Sequence, residues 1–226
     1  MKKYIYLLIS AINIALTALY IAMSPKEIVP AHYNITGEAD SFASKWTLLF
    51  FSALPVVLGI IYLIRCLCIK NNKNIDSNKK YENKFILAIF LLLIIIVWFV
   101  IIICLNGINN VSSFIGPFFC LILGALVVYL SNMFGKLKQN KILGIKINAT
   151  LKSETVWKKT HKLSGYLGVI SGIIMIILGI IGTFIGEASF IFFIIGFLIL
   201  IIMNVIIPIV YAEILYNKEK KLKIEG

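Results

Sequence analysis

With 226 residues, 60% of them hydrophobic, and a mean hydropathy of +0.97, the chain holds more apolar surface than a water-soluble domain of its size can hide. Its formal charge of +12 would suit a nucleic-acid binder, but the basic residues sort by loop instead of gathering on one patch, which argues against that class. Six apolar runs remain: Tyr4–Met23, Trp46–Ile64, Phe85–Leu105, Phe114–Leu130, Tyr166–Ile185 and Phe190–Val210. A bilayer core of roughly 30 Å takes about 20 helical residues, so each run is long enough to cross. In lipid a lone segment must satisfy its own backbone hydrogen bonds, which makes helix the default even for Ile-rich sequence. The expected fold is all-α, a polytopic bundle of six transmembrane helices.

The first run follows Met1-Lys2-Lys3 and exceeds a typical signal-peptide core, and no small-residue cleavage site follows it, so it reads as a retained anchor. Within it Asn13 and Thr17 share a face at i, i+4, suited to bonding a neighbouring helix. The connection Ser24–Lys45 is long enough to hold structure. Asn34 to Gly37 has the residues of a β-turn, and Ser44 is placed to cap the next helix. His32 with Glu27, Glu38 and Asp40 has no fixed ligand spacing and implies no metal.

The second run contains Pro55 and ends on Cys66-x-Cys68, which has no partner Cys pair or nearby His and reads as apolar filling. Residues 1–69 are therefore expected to form an N-terminal helical hairpin with an outer loop at 24–45. Residues 70–84, rich in Asn and Lys, read as a flexible linker. Residues 85–226 read as a four-helix domain with an inner loop at 135–162.

That inner loop is polar and cationic where the rest is apolar. Thr150 or Ser153 can cap a helix starting near Glu154, on which Glu154, Trp157, Lys158 and His161 share a face. Continued into the membrane, the same stripe becomes Gly165, Gly168 and Gly172, a small-residue face for close helix approach. The helix is expected to lie at or enter the inner membrane surface. Trp157 would then sit at headgroup level and the lysines toward anionic lipid, at about 1 kcal/mol per Lys. In the last run Asn204 and Pro208 stand one turn apart, so the Asn can bond near the break the Pro imposes.

Alternate loops collect twenty of the 22 basic residues, leaving Lys26 and Lys45 on the other side. The positive-inside rule then places both termini and the 135–162 loop in the cytoplasm. No Asp, Glu, Lys, Arg or His lies deep in a span, which counts against ion-coupled transport. No hydrolase, P-loop or paired metal motif occurs, so no catalytic residue, cofactor or enzyme activity is expected.

Asn140, Leu143-Gly144-Ile145-Lys146, Thr150-Leu151, Ser153-Glu154, Val156-Trp157, Thr160-His161-Lys162-Leu163 and Gly165 resemble the signature of the SdpI-like immunity proteins. These are bacterial membrane proteins that protect a producer cell from a secreted sporulation-delaying toxin. Pro30, His32, Asn34, Gly37, Asp40 and Ser44-Lys45-Trp46 resemble the extracytoplasmic domain of unknown function that often precedes it. Lys146 stands where the family usually has Arg, and Ala149 where a Pro is common.

The resemblance implies a multi-pass protein of the bacterial cytoplasmic membrane with a role in immunity and signal transduction. A secreted toxic peptide would be recognised outside through Pro30, His32, Asn34, Gly37, Asp40 and Lys45. A cytoplasmic, repressor-type protein would be held through Asn140, Gly144, Lys146, Thr150, Glu154, Trp157 and His161. An alternative is a transporter or exporter of a small amphiphile, hinted at by two three-helix halves whose long loops fall on opposite sides.

Overall fold

The computed structural model describes residues 4–34, 36–68, 78–108 and 110–225. Its helices are α1 (Ile5–Met23), α2 (Leu49–Ser52), α3 (Leu54–Cys68), α4 (Lys79–Asn106), α5 (Ser112–Phe134), α6 (Asn148–Lys152), α7 (Glu154–Gly182), α8 (Phe190–Ile201) and α9 (Ile207–Glu225). Among the described residues six stretches are long and apolar enough to cross a membrane: Ile5–Met23, Lys45–Leu67, Lys79–Asn106, Ser112–Phe134, Glu154–Gly182 and Phe190–Leu222. The chain is a multi-pass α-helical membrane protein.

The chain divides into two compact units. The first comprises Met1–Asn72 and Ile86–Ser112, and the second Lys73–Phe85 and Ser113–Gly226. Most of the third span therefore belongs with the N-terminal hairpin, whereas the sequence reading grouped it with the C-terminal helices. The reason is visible in the first unit's core. Val97, Ile101, Cys104 and Leu105 of α4 bury against Ile21, Val29 and Leu48. Further along, Trp98 donates its indole N–H to the Asn13 side-chain oxygen at 3.0 Å.

An element the all-α reading did not contain covers one end of this unit. Strands β1 (Ile28–Tyr33) and β2 (Ala39–Ser44) pair antiparallel, in a register running from Ile28 opposite Ser44 to Tyr33 opposite Ala39. The run is too short and too mixed to announce strands: Val29 and Pro30 are buried side by side, Ala31 and His32 are exposed, and the register slips between Pro30 and Tyr33, so the period of two never shows. Ser44 remains a strand residue and does not cap the next helix through its side chain. Instead its carbonyl accepts from the Thr47 hydroxyl at 2.8 Å. Pro55, which cannot donate to a carbonyl one turn back, follows the break at Ala53 between α2 and α3.

In the second unit α7 packs on α5 through glycines from both sides. A Cβ at Gly172 would lie 2.8 Å from the Gly124 carbonyl oxygen, and one at Gly124 would lie 2.8 Å from that of Gly172. Gly168 faces Ser131 and Asn204, Gly165 faces the Ser131 carbonyl, and Gly179 faces Cys120. Small residues thus let the two backbones meet. A π-helical turn, Ile202–Ile206, separates α8 from α9 immediately before Pro208. The extra residue relieves the clash a proline ring makes with the preceding turn. Inside that turn Asn204 donates to the Leu200 carbonyl at 3.0 Å and to Ser171 on α7 at 2.8 Å.

The segment expected to be a linker, 70–84, lies partly outside the described residues. From Lys79 onward it is the start of α4. Asn78, just before it, exchanges side-chain amide hydrogen bonds with the backbone of Lys138, at 2.8 and 3.0 Å.

Candidate functional site

The loop at 135–162 is an interlocked polar network built around Trp157 and His161. Ser153 caps α7 by accepting from the Val156 N–H at 3.2 Å, as its position in the sequence suggested. One turn apart on that helix, the Trp157 and His161 rings stack with centroids 3.9 Å apart. The Trp157 indole N–H donates to the Leu137 carbonyl at 2.8 Å. His161 accepts at Nε2 from the Ile145 N–H at 3.0 Å, and its Nδ1 lies 2.9 Å from the Trp157 carbonyl. An acceptor at Nε2 and a carbonyl facing Nδ1 together assign the neutral ring with its proton on Nδ1.

The residues that resemble the family signature fall into this frame one after another. The Asn140 side chain accepts from the N–H groups of Ile142 and Leu143, both at 2.7 Å, and donates to the Leu143 carbonyl at 3.1 Å. This closes the loop's first turn. Gly144 follows with φ +112°, and a Cβ there would run into His161 Nε2 and approach the Trp157 ring to 3.2 Å. Only glycine meets both demands. Thr150 donates to the Ile145 carbonyl at 2.7 Å and accepts from the Ile147 N–H at 3.1 Å, joining α6 to the stretch before it. Gln139 donates to the Thr150 carbonyl at 2.7 Å, and the Ser153 hydroxyl donates to Glu219 on α9 at 2.6 Å. Ala149 and Val156 bury against Ala212, with Ile147, Leu215 and Tyr216 around them.

The face proposed from helical spacing therefore divides. Trp157 and His161 are fully buried, whereas Glu154 is exposed and paired with Lys158 at 2.8 Å. Trp157 is not turned toward lipid headgroups: its N–H is spent on Leu137 and its ring on His161 inside the protein. The exposed members of the loop set are Lys146, whose ammonium reaches the Ile142 carbonyl at 3.1 Å, and Glu154. Sequence reasoning missed Asn78, Gln139 and Glu219 as partners. Each acts through a contact set by tertiary packing, and no local spacing announces it.

The loop at 24–45 divides in the same way. The Asn34 side chain accepts from the Thr36 and Glu38 N–H groups at 3.0 and 2.9 Å, and the Asn34 carbonyl accepts from Gly37 at 2.9 Å. This is the turn expected between Asn34 and Gly37. Gly37 has φ +81° and packs on the Ser112 backbone, while its carbonyl accepts from Val111 at 2.8 Å. Tyr33 donates its hydroxyl to Ile108 at 2.9 Å, and burial pushes its phenol above the ordinary value, which keeps it a donor. Lys45 is buried, its ammonium 3.0 Å from Glu27 and 2.9 Å from the Ser24 carbonyl, and Pro30 is buried opposite Phe42. Only His32 and Asp40 of the expected recognition set point outward. Their side chains are bonded at 2.6 Å and more than two-fifths exposed, beside an exposed Phe42.

Residues 136–212 match the family model of the SdpI/YfhL protein family, and residues 8–58 match that of a domain of unknown function (DUF1648). Residues 136–212 are what the chain shares with the SdpI/YfhL family. The SdpI/YfhL match opens at Lys136, next to the Leu137 carbonyl that holds Trp157, and closes at Ala212, which packs on Ala149 and Val156. It thus spans the loop from Lys136 through α6 and α7, while Asn78, Leu215, Tyr216 and Glu219, which also hold the loop, lie outside it. No curated protein and no solved structure matches the chain. The SdpI/YfhL match supports a membrane immunity-type role, and neither match indicates an enzymatic family.

Proposed function

We propose that the protein is an immunity and signal-transduction protein of the bacterial cytoplasmic membrane, conferring resistance to a secreted toxic peptide. The observation that carries this reading is the SdpI/YfhL match over residues 136–212, joined to an N-terminal unit that displays a docked hairpin. The peptide meets the hairpin where His32, Asp40 and Phe42 are exposed. The buried residues of the hairpin fix that surface, which a peptide then finds already formed. On the lysine-rich side, the Trp157–His161 frame presents Lys146, Glu154 and Lys158 to a cytoplasmic partner.

The test is expression in a sensitive host challenged with secreted peptides of the producing organism. Protection is expected with the full chain. His32→Ala and Asp40→Ala should abolish it while the level in the membrane stays normal, and Glu154→Ala should uncouple the inner response without changing peptide binding. A host that remains sensitive to every such peptide, with the protein abundant in its membrane, would overturn the reading.

A further inference from the structure

The second unit contains a cavity of about 320 Å³ that neither the loop network nor the hairpin explains. It lies among α5, α7 and the π-helical turn, walled by Phe85, Leu130, Phe134 and Val205, with Ser131 and Asn204 on its floor. The wall is almost entirely apolar. The π-helical turn gives Asn204 and Val205 to the lining, and Asn204 is bound to Ser171. Phe85 near the start of α4 and Phe134 at the end of α5 carry its lining to the loop end of the helices. Lys84 adjoins Phe85 in sequence, Lys136 lies two residues beyond Phe134, and Lys162 lies two residues before Ser164, another lining residue. Gly135 and Lys162 are neighbours in space, for a Cβ on Gly135 would stand 3.7 Å from the Lys162 Cα. All three lysines are exposed, and none meets a carboxylate among the described residues.

We propose that this cavity is a binding site for one anionic phospholipid of the leaflet on the lysine-rich side. An acyl chain fills the apolar slot, and Lys84, Lys136 and Lys162 meet the phosphate. Chain and headgroup select together: the slot excludes free anions, which have nothing to bury, and the lysines disfavour a zwitterionic lipid. The proposal is independent of any toxic peptide and stands or falls without a protection assay.

Native mass spectrometry of the full chain in detergent, titrated with phosphatidylglycerol or phosphatidylcholine, reads the site directly. One phosphatidylglycerol per chain should survive detergent removal, and phosphatidylcholine should not. Each Lys→Gln change at the rim should weaken retention roughly fivefold, and the triple variant roughly a hundredfold. Lys141, Lys146 and Lys152 changed together to Gln remove the same charge elsewhere in the loop and should leave retention unchanged. Leu130→Trp fills the slot and should abolish retention with helicity intact, and Val205→Trp on the opposite, exposed wall does the same where Leu130→Trp fails to fold. Equal retention of both lipids, equal loss from the two lysine triples, or wild-type retention in the folded Trp variants would each overturn the proposal.

Discussion

His161 shows how much one side chain decides. Its ring accepts from Ile145, faces the Trp157 carbonyl through Nδ1 and stacks on Trp157, so it ties the loop's backbone to α7. His161→Phe keeps the stack but loses both nitrogens, leaving the Ile145 N–H without its acceptor at about 1 kcal/mol or more. Amide exchange across residues 140–150 should then speed up about fivefold or more in vesicles, a 1 kcal/mol loss corresponding to that factor; unchanged protection would refute the assignment. Gly144→Ala should do more damage. It adds left-handed strain, on the order of 1–3 kcal/mol, to a direct collision with His161. Proteolysis of the loop should be faster in this variant than in Lys146→Ala, whose side chain is exposed. A sequence shows that a Gly, a Trp and a His recur near one another. It does not show that the Gly exists to let the His ring approach.

Among the elements, the glycine face of α7 was legible because helical geometry is local. Gly165, Gly168 and Gly172 share an arc at any helical register, and the structure puts α5 against that arc. Gly172→Leu would drive a side chain into the Gly124 carbonyl and the Val128 backbone, which have no room to give. At Gly196 the nearest atoms belong to the Met175 side chain, at 3.2 Å, which can swing aside. A thermal melt in detergent should therefore fall by several degrees more for Gly168→Leu or Gly172→Leu than for Gly196→Leu. Equal melts would remove close packing as the reason for these glycines. Asn204→Leu should lose the bond to Ser171, on the order of 0.6–2 kcal/mol for a hydrogen bond between membrane helices. The hairpin was the element missed. Its strands have six residues each, neither alternates in burial, and the register slips between Pro30 and Tyr33, so in the bare sequence they look like polar loop.

For the whole molecule, the distribution of basic residues predicts orientation. Reporters fused after Lys162 and at the C-terminus should behave as cytoplasmic, and one inserted between Asn34 and Gly37 as exported. An exported reporter after Lys162 would reverse the assignment of both faces. The two units also make a prediction about grouping. Because α4 buries Val97, Ile101 and Cys104 against α1 and the hairpin, Ile101→Ala should loosen the outer loop, a cost of roughly 2–5 kcal/mol in a packed core. Exchange at the Tyr33 and Gly37 amides should rise in that variant while the 140–150 loop stays protected. The opposite pattern would place the third span with the C-terminal helices after all.

Hydrophobic run length, loop charge and small-residue spacing are local quantities, and they determined the number of spans, the expected sidedness and the packing face of α7. The family resemblance added which loops matter. Tertiary structure alone decided which residues of those loops face inward. Pro30, Asn34, Gly37 and Lys45, like Asn140, Gly144, Thr150, Trp157 and His161, resemble their families' signatures as strongly as the exposed His32, Asp40 and Glu154 do. They differ in where their hydrogen bonds end. Asn78 on Lys138, Ser153 on Glu219 and Trp157 on Leu137 are bonds between residues 60, 66 and 20 positions apart. Nothing in local periodicity encodes such a pairing. It arises only when packed helices bring distant backbone groups together away from water, where each must find a partner.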